Sequence, residues 1–112
     1  MRILHVAECA GGVERYLQML TPRLKARNIK QTLVCSRTFT PSKFEECVDE
    51  LYISSMRQTF SPSAVAKIIL EVRKQIQETD PDIIYCHSSF GGVYGRIAAL
   101  GLGHKVIYNP HG

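Results

Sequence analysis

The sequence predicts an α/β fold, namely a doubly wound, Rossmann-like parallel sheet of about five strands in the order 3-2-1-4-5. The first observation behind this prediction is a series of short segments that are apolar on both faces, as buried parallel strands are. The second is that longer segments between them carry apolar residues at helical spacing. Because crossovers between parallel strands are right-handed, this alternation favours a sheet covered by helices on both faces.

Five segments have the length and composition of strands. They are RILHVA (2–7), KQTLVCS (30–36), ELYIS (50–54), DIIYC (82–86) and KVIYN (105–109). The connection between the second and third strands (37–49) is the least defined and is predicted to be a loop. Residues 55–63 form a second predicted loop, which ends in the helix-start signal Ser61-Pro62.

Three segments between the strands are predicted to be amphipathic helices. Their predicted inward faces are Val13, Leu17, Leu20 and Leu24 in the first, Val65, Ile69, Val72 and Ile76 in the second, and Val93, Ile97 and Leu100 in the third. Pro22 should kink the first helix or remove one of its hydrogen bonds. Gly101 is the expected stop of the third helix.

Composition places the chain among cytoplasmic globular proteins. Its 112 residues fit one domain, and no apolar run approaches the ~20 residues that span a bilayer. The first residues are also too poor in apolar side chains for a signal peptide. The four cysteines (Cys9, Cys35, Cys47 and Cys86) lack any C-x-x-C spacing. The absence of such closely spaced pairs argues against a zinc site, and it indicates that the cysteines are reduced thiols.

The formal net charge of +4 comes mainly from basic residues on the predicted helices. They are either solvated helix faces or a surface attracted to anionic lipid, so the inner face of the membrane is an alternative location. Nucleic-acid binding is disfavoured because no basic run is interleaved with aromatic residues.

Two glycine-containing turns are predicted to meet at one place in this fold. Gly11-Gly12 follows the first strand, and the segment from His87 to Gly92 follows the fourth. In the predicted order these strands are neighbours at the point where the winding reverses, which is where open sheets bind ligands. Each turn opens a helix, whose free N–H groups favour an anion such as a diphosphate. The alternatives are that Ser88 or Ser89 only caps the helix and that His87 only bonds to nearby backbone.

Other chemistries fit these residues less well. The turn after the first strand lacks G-x-G-x-x-G, and the second strand ends without an acidic residue for a ribose hydroxyl, although Arg37 leaves an NADP site open. Cys86 and His87 are adjacent on a strand and point to opposite faces, which disfavours a nucleophile–base pair. His111 follows the fifth strand at the same edge and either reaches the crevice or is a frayed end.

At these residues the sequence resembles a known family. MRILHVAECAGGVERYL (1–17) and the segment from MRQTF to YNPHG (56–112) are similar to glycosyltransferase family 4 enzymes of the GT-B fold, especially those that build bacterial exopolysaccharide or capsule. The shared features are a Met-Arg loop before a long helix, a His-Ser-Ser turn followed by Gly-Arg, and a His-Gly after the last strand. Phe90 departs from the family, which commonly has lysine there, and Pro22 is unusual.

The resemblance implies that residues 1–112 are the N-terminal, acceptor-side Rossmann-like domain, an incomplete N-terminal half of a GT-B fold. The C-terminal nucleotide-sugar-binding domain would be absent, and this chain alone would be an inactive fragment that tends to associate with itself. The implied catalytic residue is His111, which would approach the transferred sugar. The implied donor- and substrate-binding residues are Gly11, Gly12, His87, Ser88, Ser89, Gly91, Gly92 and Gly112.

The implied reaction is retaining transfer of a sugar from a nucleotide-sugar donor to a polysaccharide or lipid-linked acceptor. The nucleotide sugar is then a substrate, and neither a cofactor nor a metal is expected. The alternative hypothesis is a small Rossmann- or flavodoxin-like module that binds a nucleotide without catalysis. A stable monomer with its own nucleotide affinity would favour that alternative.

Overall fold

The computed structural model describes residues 1–110 and confirms the predicted fold class. Its strands are β1 (Arg2–Ala7), β2 (Lys30–Cys35), β3 (Glu50–Ile53), β4 (Ile83–His87) and β5 (Lys105–Asn109). Its α-helices are α1 (Gly11–Ala26), α2 (Pro62–Thr79) and α3 (Ser89–Ala98), with a short 3-10 turn at Pro41–Lys43. All strand pairs are parallel, in the order β3-β2-β1-β4-β5.

Two hydrophobic layers hold the sheet between its helices. One layer packs α1 and the 39–48 segment against β1 and β2, and includes Leu17, Leu33 and Phe44. The other packs α2 and α3 on the opposite face, and includes Leu4, Ile76 and Ile84. The central strands are therefore covered on both sides, which explains their continuous apolar sequences.

The third helix does not pack on the face that the sequence predicted. Val93, Ile97 and Leu100 are 43%, 42% and 66% exposed, so the prediction that they face inward was wrong. The buried face of α3 consists instead of Gly91, Gly92, Tyr94, Gly95 and Ala98. Small residues on this face let the helix axis approach the sheet closely.

The first helix continues through Pro22 as one helix (Gly11–Ala26), which agrees with the predicted loss of a single hydrogen bond at this residue. Pro22 still has no amide hydrogen to donate within α1. Thr21, just before it, is fully buried and donates its hydroxyl to the carbonyl of Leu17 at 2.8 Å. Among the described residues, no helix is long and apolar enough to cross a membrane.

Candidate functional site

The carboxyl ends of β1 and β4 lie side by side, with Ala7 paired to His87. Helices α1 and α3 begin directly after these ends, at Gly11 and Ser89. The two turns line one pocket of about 360 Å³. The residues that line it are Glu8, Cys9, Ala10, Gly11, Gly12, Val13, Gln58, Ser88, Ser89, Phe90 and Pro110. The structure thus brings together four of the predicted site residues: Gly11, Gly12, Ser88 and Ser89.

The α1 side of the pocket presents open backbone. No side chain caps the start of α1, where Ala10 is the N-cap residue. Gly11 has a φ of +35°, and a Cβ added at Gly11 or Gly12 would meet nothing within 4 Å. Packing therefore does not require glycine at either position, although the φ of Gly11 favours it. What the two glycines provide is unobstructed access to the N–H groups of the first helical turn.

The α3 side of the pocket carries a strained serine. Ser88, the N-cap of α3, has φ 66° and ψ 173°, a region that is essentially reserved for glycine. Its amide donates to the carbonyl of Asn109 at 2.9 Å. Its hydroxyl oxygen is buried and has no hydrogen-bond partner among the described residues. Buried hydroxyls are rarely left unpaired, so this one is available to bond with a group outside residues 1–110.

Gly91 and Gly92, which the sequence predicts as site residues, are not among the residues that line the pocket. A Cβ on Gly91 would lie 3.2 Å from the amide nitrogen of Glu8 and 3.2 Å from the carbonyl oxygen of Val6. A Cβ on Gly92 would lie 2.1 Å from the ring of Tyr108. Both glycines face the sheet and allow α3 to pack against β1 and β5. Their role in this structure is close packing.

His87 also lies away from the pocket. It is the last residue of β4, is fully buried, and faces the α1 side of the sheet. Its Nε2 lies 3.3 Å from Nδ1 of His5, and its ring lies 4.1 Å from the ring of Tyr85. The structure therefore places His87 in the buried layer on the α1 side and not on the wall of this pocket, because strand alternation turns its side chain to that face.

The hydrogen bonds of Gln31 fix the tautomers of this histidine pair. The amide nitrogen of Gln31 donates to the carbonyls of Thr21 and Cys47, at 2.9 and 3.2 Å. Its Oε1 therefore accepts from Nε2–H of His5 at 3.0 Å. Neutral His5 is left with an acceptor at Nδ1, so Nε2–H of His87 is the donor in the histidine–histidine bond. Burial lowers the pKa of His5 to about 4, although the bond to Gln31 opposes this shift.

The pocket contains two polar residues that the sequence did not single out. Glu8 follows β1 and is only 6% exposed. Burial raises the pKa of its carboxyl group, and a hydrogen bond from Gln58 partly offsets the increase. Gln58 comes from the predicted loop between β3 and α2, which reaches the pocket only through the fold. The sequence feature that could have indicated Glu8 is its position, because it is an acidic residue directly after a buried strand.

The remaining predicted residues, His111 and Gly112, lie outside the described residues. Within residues 1–110, no group of three metal-ligating side chains is found. The cysteines described are free thiols. Burial raises the pKa of both Cys35 and Cys86 to about 12, which keeps these thiols protonated and unreactive.

Comparison with known proteins gives one family match and one similar named protein. The profile of Glycosyltransferase Family 4 matches residues 10–112. A protein of Bacillus subtilis (strain 168) named as a glycosyltransferase, EpsD, is 38% identical over 69 residues. That alignment covers 58% of this chain and 18% of EpsD.

Solved structures show the same fold at low sequence identity. MurG of Acinetobacter baumannii superimposes with a TM-score of 0.73 at 14% identity, over 96% of this chain and 34% of that one. UDP-GlcNAc 2-epimerase of Neisseria meningitidis, bound to UDP-GlcNAc, superimposes with a TM-score of 0.71 at 15% identity. The match covers 96% of this chain and 32% of the epimerase. This chain therefore spans about a third of the length of these two proteins and less than a fifth of EpsD.

Proposed function

Because the chain belongs to glycosyltransferase family 4, we propose that it is the acceptor-side Rossmann-like domain of a retaining glycosyltransferase. The reaction would move a sugar from a nucleotide-sugar donor to a polysaccharide or lipid-linked acceptor, at the inner face of the membrane. The likeness to EpsD supports the activity. The epimerase of the same fold, bound to UDP-GlcNAc, supports a nucleotide sugar as the donor. The nucleotide-binding C-terminal domain and the role of His111 belong to the same proposal.

The observation that carries the proposal is the pocket between the two helix starts. Helices α1 and α3 both begin there without a side-chain cap, and both point their N-terminal ends at it. Each helix end is equivalent to about half a positive charge. The unpaired hydroxyl of Ser88 adds a donor at the same place. Together these groups suit the diphosphate of a nucleotide sugar.

This arrangement would act on the leaving group. As the sugar–oxygen bond breaks, negative charge grows on the departing diphosphate and positive charge on the sugar. Fixed N–H donors aimed at the diphosphate stabilise that separation without reorganising during the reaction. The proposal needs neither a general base nor a metal from the residues of this chain.

We expect Ser88→Gly to make the domain more stable and its pocket weaker. Glycine relieves the strained φ and ψ of residue 88 and removes the unpaired hydroxyl, so the free energy of unfolding should rise by about 1 kcal/mol. Binding of UDP-glucose should weaken severalfold, because one donor is lost. Urea denaturation measures the first quantity, and amide chemical shifts in a titration with UDP-glucose measure the second.

The matched control for this variant is Asp80→Gly. Asp80 also has a positive φ, 48°, but it caps the far end of α2 and does not line the pocket. The variant Asp80→Gly should therefore bind UDP-glucose with the same affinity as the wild type. If UDP-glucose bound to the protein that carries this chain without shifting any amide among Gly11, Gly12, Ser88 and Ser89, the donor-binding role would be overturned. Transfer itself is measured in the protein that carries this chain, as incorporation of labelled sugar from a panel of nucleotide sugars.

A further inference from the structure

The pocket is not lined by hydrogen-bond donors alone. Glu8 stands among its lining residues, and its carboxylate can only accept hydrogen bonds when ionised. One of its oxygens is engaged by Gln58, the neighbouring residue of the pocket rim. The hydroxyl of Ser88 does not bond to it, since that oxygen has no partner among residues 1–110. The pocket therefore places acceptors and donors in separate positions.

A carboxylate is a poor neighbour for a bound phosphate. Two like charges a few ångströms apart repel, and the repulsion grows as water is excluded. A site built for an anion alone would be lined by donors throughout. Sugar hydroxyls differ from phosphate because each one both donates and accepts. A wall that offers a carboxylate on one side and N–H and hydroxyl donors on the other matches such a group.

The backbone beneath Glu8 is firmly held. The amide nitrogen of Glu8 lies against Gly91 of α3, where even a Cβ would come within 3.2 Å. Helix α3 thus packs directly on the residue that carries the carboxylate. Phe90, which precedes Gly91 in α3, lines the same pocket and offers an apolar ring to the C–H groups of a sugar. Fixed polar groups beside an aromatic ring are the usual make-up of a small-molecule site.

We infer that Glu8 and Gln58 form a subsite for the hydroxyl groups of a neutral sugar ring, with Glu8 as the specificity-determining acceptor. The inference rests on the proposed function, because it assigns the part of the same pocket that the diphosphate would leave free. The sugar is either that of the donor or the terminal unit of the acceptor. Both present the same hydroxyl chemistry to Glu8.

The test is Glu8→Gln in the full 112-residue chain, with two kinds of probe followed by amide chemical shifts. The probes are methyl glycosides of glucose, galactose and N-acetylglucosamine, and inorganic pyrophosphate. Glutamine keeps the size of the side chain and its capacity to bond to Gln58. We expect affinity for the bound glycoside to fall about tenfold, the effect of losing a charged acceptor. Affinity for pyrophosphate should rise severalfold, because the repulsion is removed.

Opposite changes for the two probes separate ligand recognition from structural damage, which would weaken both. Glu45→Gln makes the same charge change at an exposed residue outside the pocket and should alter neither affinity. If pyrophosphate binds but no glycoside does, or if the variant binds glycosides like the wild type, the sugar subsite is overturned and the donor site stands. If neither probe binds the wild type, both the sugar subsite and the proposed donor site are overturned. If UDP-glucose displaces the glycoside, the subsite belongs to the donor sugar. If both bind at the same time, the subsite belongs to the acceptor.

Discussion

Replacing Gly95 with leucine is expected to lower the free energy of unfolding by about 3 kcal/mol, the upper part of the range for overpacked cores. Even a Cβ at residue 95 would lie 2.4 Å from Sγ of Cys86 and 3.5 Å from Cβ of Val6. Cys86 and Val6 are fully buried in the layer between the sheet and α3, so neither can move aside. The helix would have to lift from the sheet. Urea denaturation of the variant and the wild type gives the difference.

The control lies two residues further along the same helix. Ile97 is 42% exposed, so Ile97→Ser should change the free energy of unfolding by less than about 0.5 kcal/mol. If α3 packed through Val93, Ile97 and Leu100, as the sequence predicted, the ranking of the two variants would be reversed. A larger loss from Ile97→Ser than from Gly95→Leu would therefore show that the face described for α3 is wrong.

The error on α3 has a physical cause. Hydrophobic periodicity finds the apolar stripe of a helix, and in α1 and α2 that stripe does face the sheet, through residues such as Leu17 and Val72. In α3 a second stripe competes with it, because Gly91, Gly95 and Ala98 also recur at i, i+4 and i+7. Small residues gain by allowing close backbone approach, which a scale of side-chain hydrophobicity does not score.

The strand order was predictable because the strands are short, apolar and separated by helices, so few topologies were open to the chain. The meeting of the turns at Gly11 and Ser88 followed from that order. The contents of the pocket were less predictable. Gln58 reaches the pocket from a loop that has no hydrophobic periodicity. His87 lies outside the pocket because β4 extends one residue further than predicted.

The second large effect concerns His5, at the centre of the buried polar chain beneath β1 and β4. Its ring is fully buried between Gln31 and His87. Burial lowers its pKa from the ordinary 6.5 to about 4. In the unfolded chain the ring takes up a proton as the pH falls through about 6.5, whereas in the folded chain it stays neutral down to about pH 4. Between these values the unfolded state binds more protons, so acid favours unfolding.

We therefore expect the contribution of His5 to be fully present above about pH 7 and to be lost progressively down to about pH 4. A shift of this size corresponds to a loss on the order of 3 kcal/mol. In His5→Gln the free energy of unfolding should fall less over the same range, because the amide can still donate to Gln31 but cannot be protonated. The measurement is urea denaturation of both proteins across the range.

The difference between the two curves reports on His5 together with the hydrogen bond that it accepts from His87. Glu8 and Glu14 also have shifted pKa values, raised and lowered respectively, but both are present in wild type and variant, so their contributions cancel. Ile97→Ser, which changes no titratable group, is the control, and its free energy of unfolding should follow the acid dependence of the wild type. Parallel curves for wild type and His5→Gln would mean that His5 takes up its proton at the same pH in the folded protein as in the unfolded chain. The neutral histidine pair under the pocket would then be the wrong description of this site.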